Sequence, residues 1–379
     1  MTFGKFDDKI INSYDHVKKD FAHLFHRHLY FVIALVLIIV GSIYYFSQRA
    51  PAAPVVPDWA WAKQFNSTDN AWTTGITKDN AGNSYVVGLF ENQITIGLTP
   101  LGSAGSGVHM FVAKFDKDGL VDETFTPFSI DVGFAKYKGP SIAAQIESSA
   151  SSIYITGAFN GTVDFDPSGT TNDLTSLGSS DIFLAQYNSA TGAFANVVLD
   201  TNSTTNFDYP NAISLTSDYI YLADTIVGNN SEKFAFVNVI DKSDLNNQNT
   251  ITISNEVKEY IEPYGIVADN SNNFYVTGYI AGREIFDNGG SKETILQNVG
   301  GRDIYIAKYE FTTGPLWQLS WVKQYGGTGS LDNSQGTSLA LDSAGEPYLT
   351  GTFSGHAEAD EYRFAGNFGT NCVTENQFQ

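Results

Sequence analysis

The chain is poor in the residues that carry redox and metal chemistry. Cys372 is its single cysteine in 379 residues, so no intrachain disulfide can form and stability must come from packing. Of six histidines only His109 and His356 lie beyond residue 60, which leaves no pair at metal-ligand spacing there. No Walker loop and no Gly-x-Ser-x-Gly elbow occurs. Gly102-Ser103-Ala104-Gly105-Ser106-Gly107 is glycine-rich, but no lysine, arginine or helix start directly follows it, so it reads as a loop rather than a phosphate cradle. Positive charge is also scarce, at 21 Lys and Arg against 41 Asp and Glu. Residues 1–50 hold six of the basic and four of the acidic side chains, so the remainder sets 15 against 37, about −22. Such a body repels nucleic acid and anionic lipid headgroups, and nucleic acid is excluded as a partner. What is plentiful is aromatic: 27 Phe and 20 Tyr suit strands, and 35 Gly suit many tight turns.

One long uncharged run stands apart. Residues 29–46, LYFVIALVLIIVGSIYYF, would rise about 27 Å as a helix, close to the hydrocarbon thickness of a bilayer. Tyr30 and Phe31 mark one edge and Tyr44, Tyr45 and Phe46 the other, where aromatic rings favour the interface. A cleaved signal peptide is the competing reading, since Ala50-Pro51-Ala52 has small-x-small spacing. Four acids among the 28 preceding residues make a poor leader, and a retained signal-anchor is the reading adopted. Lys18, Lys19 and Arg27 flank one side and Arg49 the other, which predicts a single-pass protein with its amino terminus inside and its body outside, in a cell envelope or viral membrane. Within residues 1–28, Phe6, Ile10, Tyr14, Val17, Phe21 and Leu24 recur every three or four positions. This predicts an amphipathic helix that lies on the inner membrane face or pairs with a partner helix. His23, His26 and His28 end it, without an acidic or Cys cluster to complete a metal site. Residues 47–58 contain APAAPVVP, a stiff proline-rich spacer.

From residue 59 to 379 a short phrase recurs. It reads Asn83-Ser84-Tyr85-Val86-Val87-Gly88, Ser152-Ile153-Tyr154-Ile155-Thr156-Gly157, Asn273-Phe274-Tyr275-Val276-Thr277-Gly278 and Glu346-Pro347-Tyr348-Leu349-Thr350-Gly351. A weaker copy is Tyr219-Ile220-Tyr221-Leu222-Ala223-Asp224. The tyrosines stand 69, 67, 54 and 73 residues apart, a spacing that predicts an array of similar units. Each unit reads as four strands. The first alternates small and apolar residues, as in Asn211-Ala212-Ile213-Ser214-Leu215 and Gly265-Ile266-Val267-Ala268. A turn such as Asp79-Asn80-Ala81-Gly82-Asn83 follows, then the tyrosine phrase. After a loop of about 25 residues come third strands such as Met110-Phe111-Val112-Ala113-Lys114-Phe115 and Asp303-Ile304-Tyr305-Ile306-Ala307-Lys308-Tyr309. Trp321-Val322-Lys323-Gln324-Tyr325 is the clearest fourth strand. The expected fold is all-β, a β-propeller of five blades, with the helical anchor before it.

These motifs resemble the SBBP type of β-propeller repeat, through Asp79-Asn80-Ala81-Gly82-Asn83-Ser84-Tyr85, Asp181-Ile182-Phe183 and Trp321-Val322-Lys323-Gln324-Tyr325. The likeness spans nearly all of 59–379 and implies fold rather than chemistry. That family is named for seven blades, whereas five longer units are visible here. The third unit departs most, lacking the Gly and the Asp-Ile-Phe start, which predicts an irregular ladder there. Trp61-Ala62-Lys63-Gln64-Phe65 copies the fourth-strand sequence ahead of the first unit, and the last unit lacks its own copy. The amino-terminal segment is therefore expected to complete the last blade, with Cys372-Val373-Thr374 in that blade's third strand.

No catalytic, cofactor-binding or metal-ligating residue is assigned. Asp164 and Asp166, with Glu284 and Asp287 as a partial counterpart, could bind calcium through oxygen-rich turns, but the same pattern makes ordinary turns. Asp224, Asp241 and Asp269 are not distinguished from one another by their sequence contexts. Asn66, Asn160, Asn202 and Asn229 begin glycosylation sequons. The functional expectation is a membrane-anchored structural module that binds protein or glycan, including a component of a virion envelope, with no cofactor. The alternative is a propeller enzyme, a lyase or glycan hydrolase with acids at the channel mouth.

Overall fold

A computed structural model describes residues 61–358, apart from 104–106, 134–140, 146–151, 201–205, 229–231, 255–259, 287–293, 299–300, 313–315, 328–332 and 354–356. The expected helix over 1–28, the span at 29–46, the spacer at 47–58, Cys372 and His356 lie outside the described residues. Among those described there is no helix, and so none long and apolar enough to cross a membrane.

The strands fall into five successive repeats. β1 (Asn66–Ser67) precedes repeat 1, which holds β2 (Ala71–Lys78), β3 (Ser84–Glu91), β4 (Gln93–Ile96), β5 (Thr99–Gly102), β6 (Val108–Phe115) and β7 (Phe128–Asp131). Repeat 2 holds β8 (Ser141–Gln145), β9 (Ser152–Phe159), β10 (Thr162–Asp164), β11 (Asp173–Thr175), β12 (Asp181–Asn188) and β13 (Phe194–Leu199). Repeat 3 is the shortest, with β14 (Asp208–Leu215), β15 (Tyr219–Val227), β16 (Lys233–Asp241) and β17 (Gln248–Thr252). Repeat 4 holds β18 (Tyr260–Ala268), β19 (Phe274–Ala281), β20 (Arg283–Phe286), β21 (Thr294–Gln297), β22 (Asp303–Thr312) and β23 (Leu316–Gly327). Repeat 5 is described for β24 (Gln335–Leu341) and β25 (Pro347–Thr352), and β26 (Ala357–Glu358) pairs back onto β23.

Repeats 1 to 4 each form an antiparallel four-stranded meander, in the orders β2-β3-β6-β7, β8-β9-β12-β13, β14-β15-β16-β17 and β18-β19-β22-β23. One parallel bridge, Lys233 to Tyr260, joins the sheets of repeats 3 and 4. The loop expected between second and third strands is itself folded: repeats 1, 2 and 4 carry small hairpins there, β4-β5, β10-β11 and β20-β21. The second and third strands of repeat 3 pair regularly, against expectation, and its β14–β15 ladder shifts once, between Pro210 and Ala212, as β2, β18 and β24 do in theirs. β15 and β16 pair without a break from Tyr219–Asp241 to Val227–Lys233. Its missing glycine alters a side chain, not the register.

The sheets bury both faces, and this explains strands such as β6 in which all eight residues are buried. Alternate residues serve alternate neighbours. Tyr85, Val87, Met110 and Val112 meet Ile153, Ile155, Phe183 and Tyr187 of repeat 2 in one core. The opposite face of repeat 2 places Tyr154, Leu184 and Val198 against Ile220, Leu222 and Ile240 of repeat 3. Tyr221, Ala223 and Val237 then meet Phe274, Val276 and Tyr305 of repeat 4, and Ile304, Ile306 and Tyr325 meet Leu339 and Leu349 of repeat 5. Each such side chain is worth about 1.5–3 kcal/mol of burial, which no single sheet obtains alone.

The repeated phrase earns its spacing in these contacts. The tyrosine of one repeat reaches a turn of the next: Tyr85 donates to the Ser189 carbonyl at 2.9 Å, Tyr221 to Asn272 at 3.1 Å and Tyr275 to Gly345 at 3.3 Å. Across its own sheet the tyrosine faces the third-strand lysine, with Lys114 over Tyr85 and Lys308 over Tyr275 at 5.5 and 5.7 Å. The Asp-led turns close alike. Asp79 accepts from the Ala81 and Asn83 amides, both at 2.9 Å, and Asp269 from Ser271 and Asn273 at 2.8 and 3.0 Å. Gly82 at φ 87° and Asn272 at φ 64° supply the left-handed residue.

Candidate functional site: a cavity between the first strands

The first strands of successive repeats are neighbours in the order β2, β8, β14, β18, β24. Each of β2, β14, β18 and β24 shifts register at one bulge, between Thr73 and Gly75, Pro210 and Ala212, Pro263 and Gly265, and Gly336 and Ser338. Proline is tolerated at such bulges because the ladder is already broken there. The residue after each bulge is small, Gly75, Ala212, Gly265 or Ser338, and all four line one cavity of about 490 Å³. Close approach explains the size limit: a Cβ on Gly265 would lie 2.9 Å from Ser338 Cα. Ile76, Ile213, Ile266 and Leu339 add aliphatic wall, and Thr77, Asn211, Ser214 and Tyr264 add polar groups. The exposed lining of the cavity is thus mostly polar, with a smaller aliphatic share, and its polar groups converge from four strands.

One polar centre adjoins it. Glu262, 2% exposed, precedes the bulge of β18. Its Oε1 accepts from the Tyr209 hydroxyl at 3.1 Å, and its Oε2 from Tyr279 at 3.0 Å and from Lys233 Nζ at 2.6 Å. The Arg302 guanidinium lies 4.2 Å from the centre of the Tyr279 ring. Burial, then the Glu262 charge, raise the phenols of Tyr209 and Tyr279, and push that of Tyr264 up to about 12. These hydroxyls therefore remain donors throughout the neutral range. Exposed aromatics stand at the same ends of the first strands: Trp72 in β2, Tyr260 opening β18 and Phe207 just before β14, with 38, 41 and 46% exposure. They precede the wall residues Gly75, Tyr264 and Asn211 by three or four positions, roughly 10–13 Å along a strand.

The carboxylates weighed for calcium separate by location. Asp164 accepts from the amides of Asp166 and Asn172, and Asp166 accepts from the Ser168 amide and the Asn172 side chain. The Ser168 amide holds the Asp166 carboxyl below its ordinary value. Both acids are turn formers, as are Asp241, which accepts from Ser243, and Asp269. Glu284 is buried and accepts from Ser254 Oγ, while Asp287 lies outside the described residues. His109 is a core residue stacked on Phe90 with ring centres 5.3 Å apart. Asp224 differs from all of these, being wholly buried with neither oxygen bonded. Among the described residues no group of three or more His, Cys, Asp and Glu is arranged to hold a metal ion. Sequence reasoning missed the Glu262 centre because its three donors, Tyr209, Lys233 and Tyr279, come from three other strands, β14, β16 and β19, linked by no local spacing.

No protein-family model matches the chain, and no curated protein matches it. Among solved structures it is similar to an exo-1,5-alpha-L-arabinanase from a bovine ruminal metagenomic library, at 12% identity over 68% of this chain and 99% of the other, with a TM-score of 0.23. It is also similar to the tail fiber of Staphylococcus aureus phage P68, at 10% identity over 76% of this chain and 75% of the other, with a TM-score of 0.22. Scores of this size transfer no residue correspondence. The all-β assignment stands on the ladders themselves.

Proposed function

We propose that this chain is a membrane-tethered, five-bladed propeller of the SBBP type that binds a glycan at one mouth of its central cavity. The observation that carries the proposal is the convergence of four first strands on one cavity, with exposed aromatic side chains at the strand ends that lead into it. Aromatic faces stack on the apolar faces of sugar rings, and fixed phenol and amide groups select hydroxyl positions. The acidic body favours a neutral or cationic glycan over an anionic one. The uncharged run at 29–46 would hold the module outside a cell envelope or a viral membrane, with residues 1–28 available for assembly on the inner side.

The hydrolytic alternative would draw on Glu262. Its two oxygens are already engaged by Lys233 and two phenols, an arrangement that fixes a carboxylate rather than poising an acid. This favours binding over turnover. The test is calorimetry and a glycan array with the full chain in mild detergent. Wild type is expected to retain a neutral or cationic glycan, and Trp72→Ala and Tyr260→Ala to weaken it about fivefold or more, by analogy with the ~1–3 kcal/mol that a base stacked on an aromatic contributes. Unchanged affinity in both variants, or hydrolysis of the retained glycan, would overturn the reading.

A further inference from the structure

We propose a divalent-cation site of the calcium class at the junction of repeats 2 and 3, formed by Asp224, Asp200 and Asn238. The site does not depend on the glycan reading. It begins with a departure from the repeat. The tyrosine phrase ends in glycine at Gly88, Gly278 and Gly351, where a Cβ would lie 2.3 Å from the Trp72 carbonyl oxygen, 1.9 Å from that of Glu262 and 2.3 Å from that of Gln335. Repeat 3 places Asp224 there, in the same register: Asp224 faces Pro210 as Gly278 faces Pro263. A carboxylate has been installed at a position where repeats 1, 4 and 5 exclude any side chain.

The surroundings explain why such a residue needs a ligand. Asp224 is fully buried, and neither of its oxygens has a donor. Asn238, also fully buried, gives its Nδ2 to Asp200 Oδ2 at 3.0 Å, while its Oδ1 has no partner. Asp200 enters from the end of repeat 2 and is 2% exposed; Asp208, at the start of β14, is fully buried and adds a third negative charge. Burial first, then Asp200 and Asp208, drive the Asp224 carboxyl well above its ordinary value. A fully buried carboxylate with no donor, set beside two further acids, is costly. The unmatched atoms decide what compensates it, because all three are oxygens. One proton shared between Asp200 and Asp224 supplies a single donor and still leaves Asn238 Oδ1 orphaned. A hard cation takes carboxylate and amide oxygens together, and two carboxylates neutralise its charge. The three carboxylates do not form a three-acid cage, so Asp208 serves as a neighbouring charge and the amide oxygen as the third protein ligand. Such an ion would clip repeat 2 to repeat 3, beyond the apolar contact of Leu184 and Val198 with Ile220 and Leu222.

The test is thermal unfolding and calorimetry of the full chain in detergent, stripped with EDTA and titrated with calcium chloride against sodium chloride of equal ionic strength. Calcium is expected to raise the wild-type midpoint by about 3 °C or more at saturating concentration, because it binds the native state alone. Asp224→Gly restores the residue of the other repeats and is expected to fold, to lose the calcium response and to match or exceed the stripped wild type in stability. Asp224→Asn serves as the second variant and is expected to lose the response while keeping the shape. A wild-type midpoint and heat signal indifferent to calcium would overturn the proposal. So would a calcium response retained in both variants, or stabilisation by lowering the pH from 7 to 5 in place of any calcium effect, which would assign the site to a bridging proton.

Discussion

Gly278 shows how one residue can hold two strands at their proper distance. A methyl there would collide with the Glu262 backbone, not with a movable side chain, so Gly278→Ala should destabilise by roughly 1–3 kcal/mol in urea denaturation. The Lys114–Asp122 pair, 2.7 Å apart with side chains 8 and 19% exposed, gives a pH-dependent counterpart. Burial opposes ionisation of Asp122, but the Lys114 ammonium and the Thr124 hydroxyl and amide outweigh it and hold the carboxyl at about 2. A depressed carboxyl contributes fully above the unfolded value near 4 and loses that contribution as pH falls toward 2. Asp122→Asn should therefore lower the thermal midpoint at pH 7, and its difference from wild type should shrink between pH 4 and pH 2. The role of Asp122 was not legible in the sequence, because its partner is reached only through a turn. The role of the Asp79 turn was legible, because an Asx turn is closed by its own neighbours.

Among the elements, the second strand does most to join the repeats. Its tyrosine lies under the lysine of its own third strand and donates to a turn in the following repeat. Tyr275→Phe should keep the ring contacts and lose one hydrogen bond, costing about 1 kcal/mol, while Tyr275→Ala should cost several times more. Chevron analysis or equilibrium denaturation of the pair separates the two terms. The pattern of this strand was readable because a sheet buried on both faces needs an unbroken apolar run, and its end was readable in repeats 1, 4 and 5 because only glycine fits there. The hairpins β4-β5, β10-β11 and β20-β21 were not readable: their strands are three or four residues long and too short to show a period. Repeat 3 was expected to be irregular, yet its β15–β16 ladder is continuous and its β14 bulge is one that the first strands of repeats 1, 4 and 5 share, since the missing glycine is absorbed by a buried side chain rather than by register.

At the scale of the whole molecule the question is how the array ends. Trp61 and Phe65 keep the four-residue spacing of Trp321 and Tyr325, and they do the same kind of work. Trp321 and Tyr325 lie where repeat 4 meets Leu339 and Leu349 of repeat 5. Trp61 lies 6.3 Å from Phe115, and Phe65 lies 5.6 and 5.8 Å from Phe111 and Phe115, on the face of repeat 1 turned away from repeat 2. Residues 61–65 pair in no ladder among the described residues, and the strand they were expected to join, with Cys372, lies outside them. Removing both rings, Trp61→Ala with Phe65→Ala, should lower the midpoint of one cooperative transition, because every repeat leans on the next. Loss of a small separate transition, with the main one unmoved, would show that the amino-terminal segment is an appendage.

The order of strands, the turns between them and the all-β class were settled by local chemistry: alternation, glycine where no Cβ fits, and aspartates that close their own turns. Which acids are turn formers and which are buried charges was decided only in three dimensions. Sequence shows Asp224 only as a replacement for the glycine of the repeated phrase, and desolvation, which separates it from the turn-closing Asp241 and Asp269, is a property of what packs around a residue rather than of what precedes it.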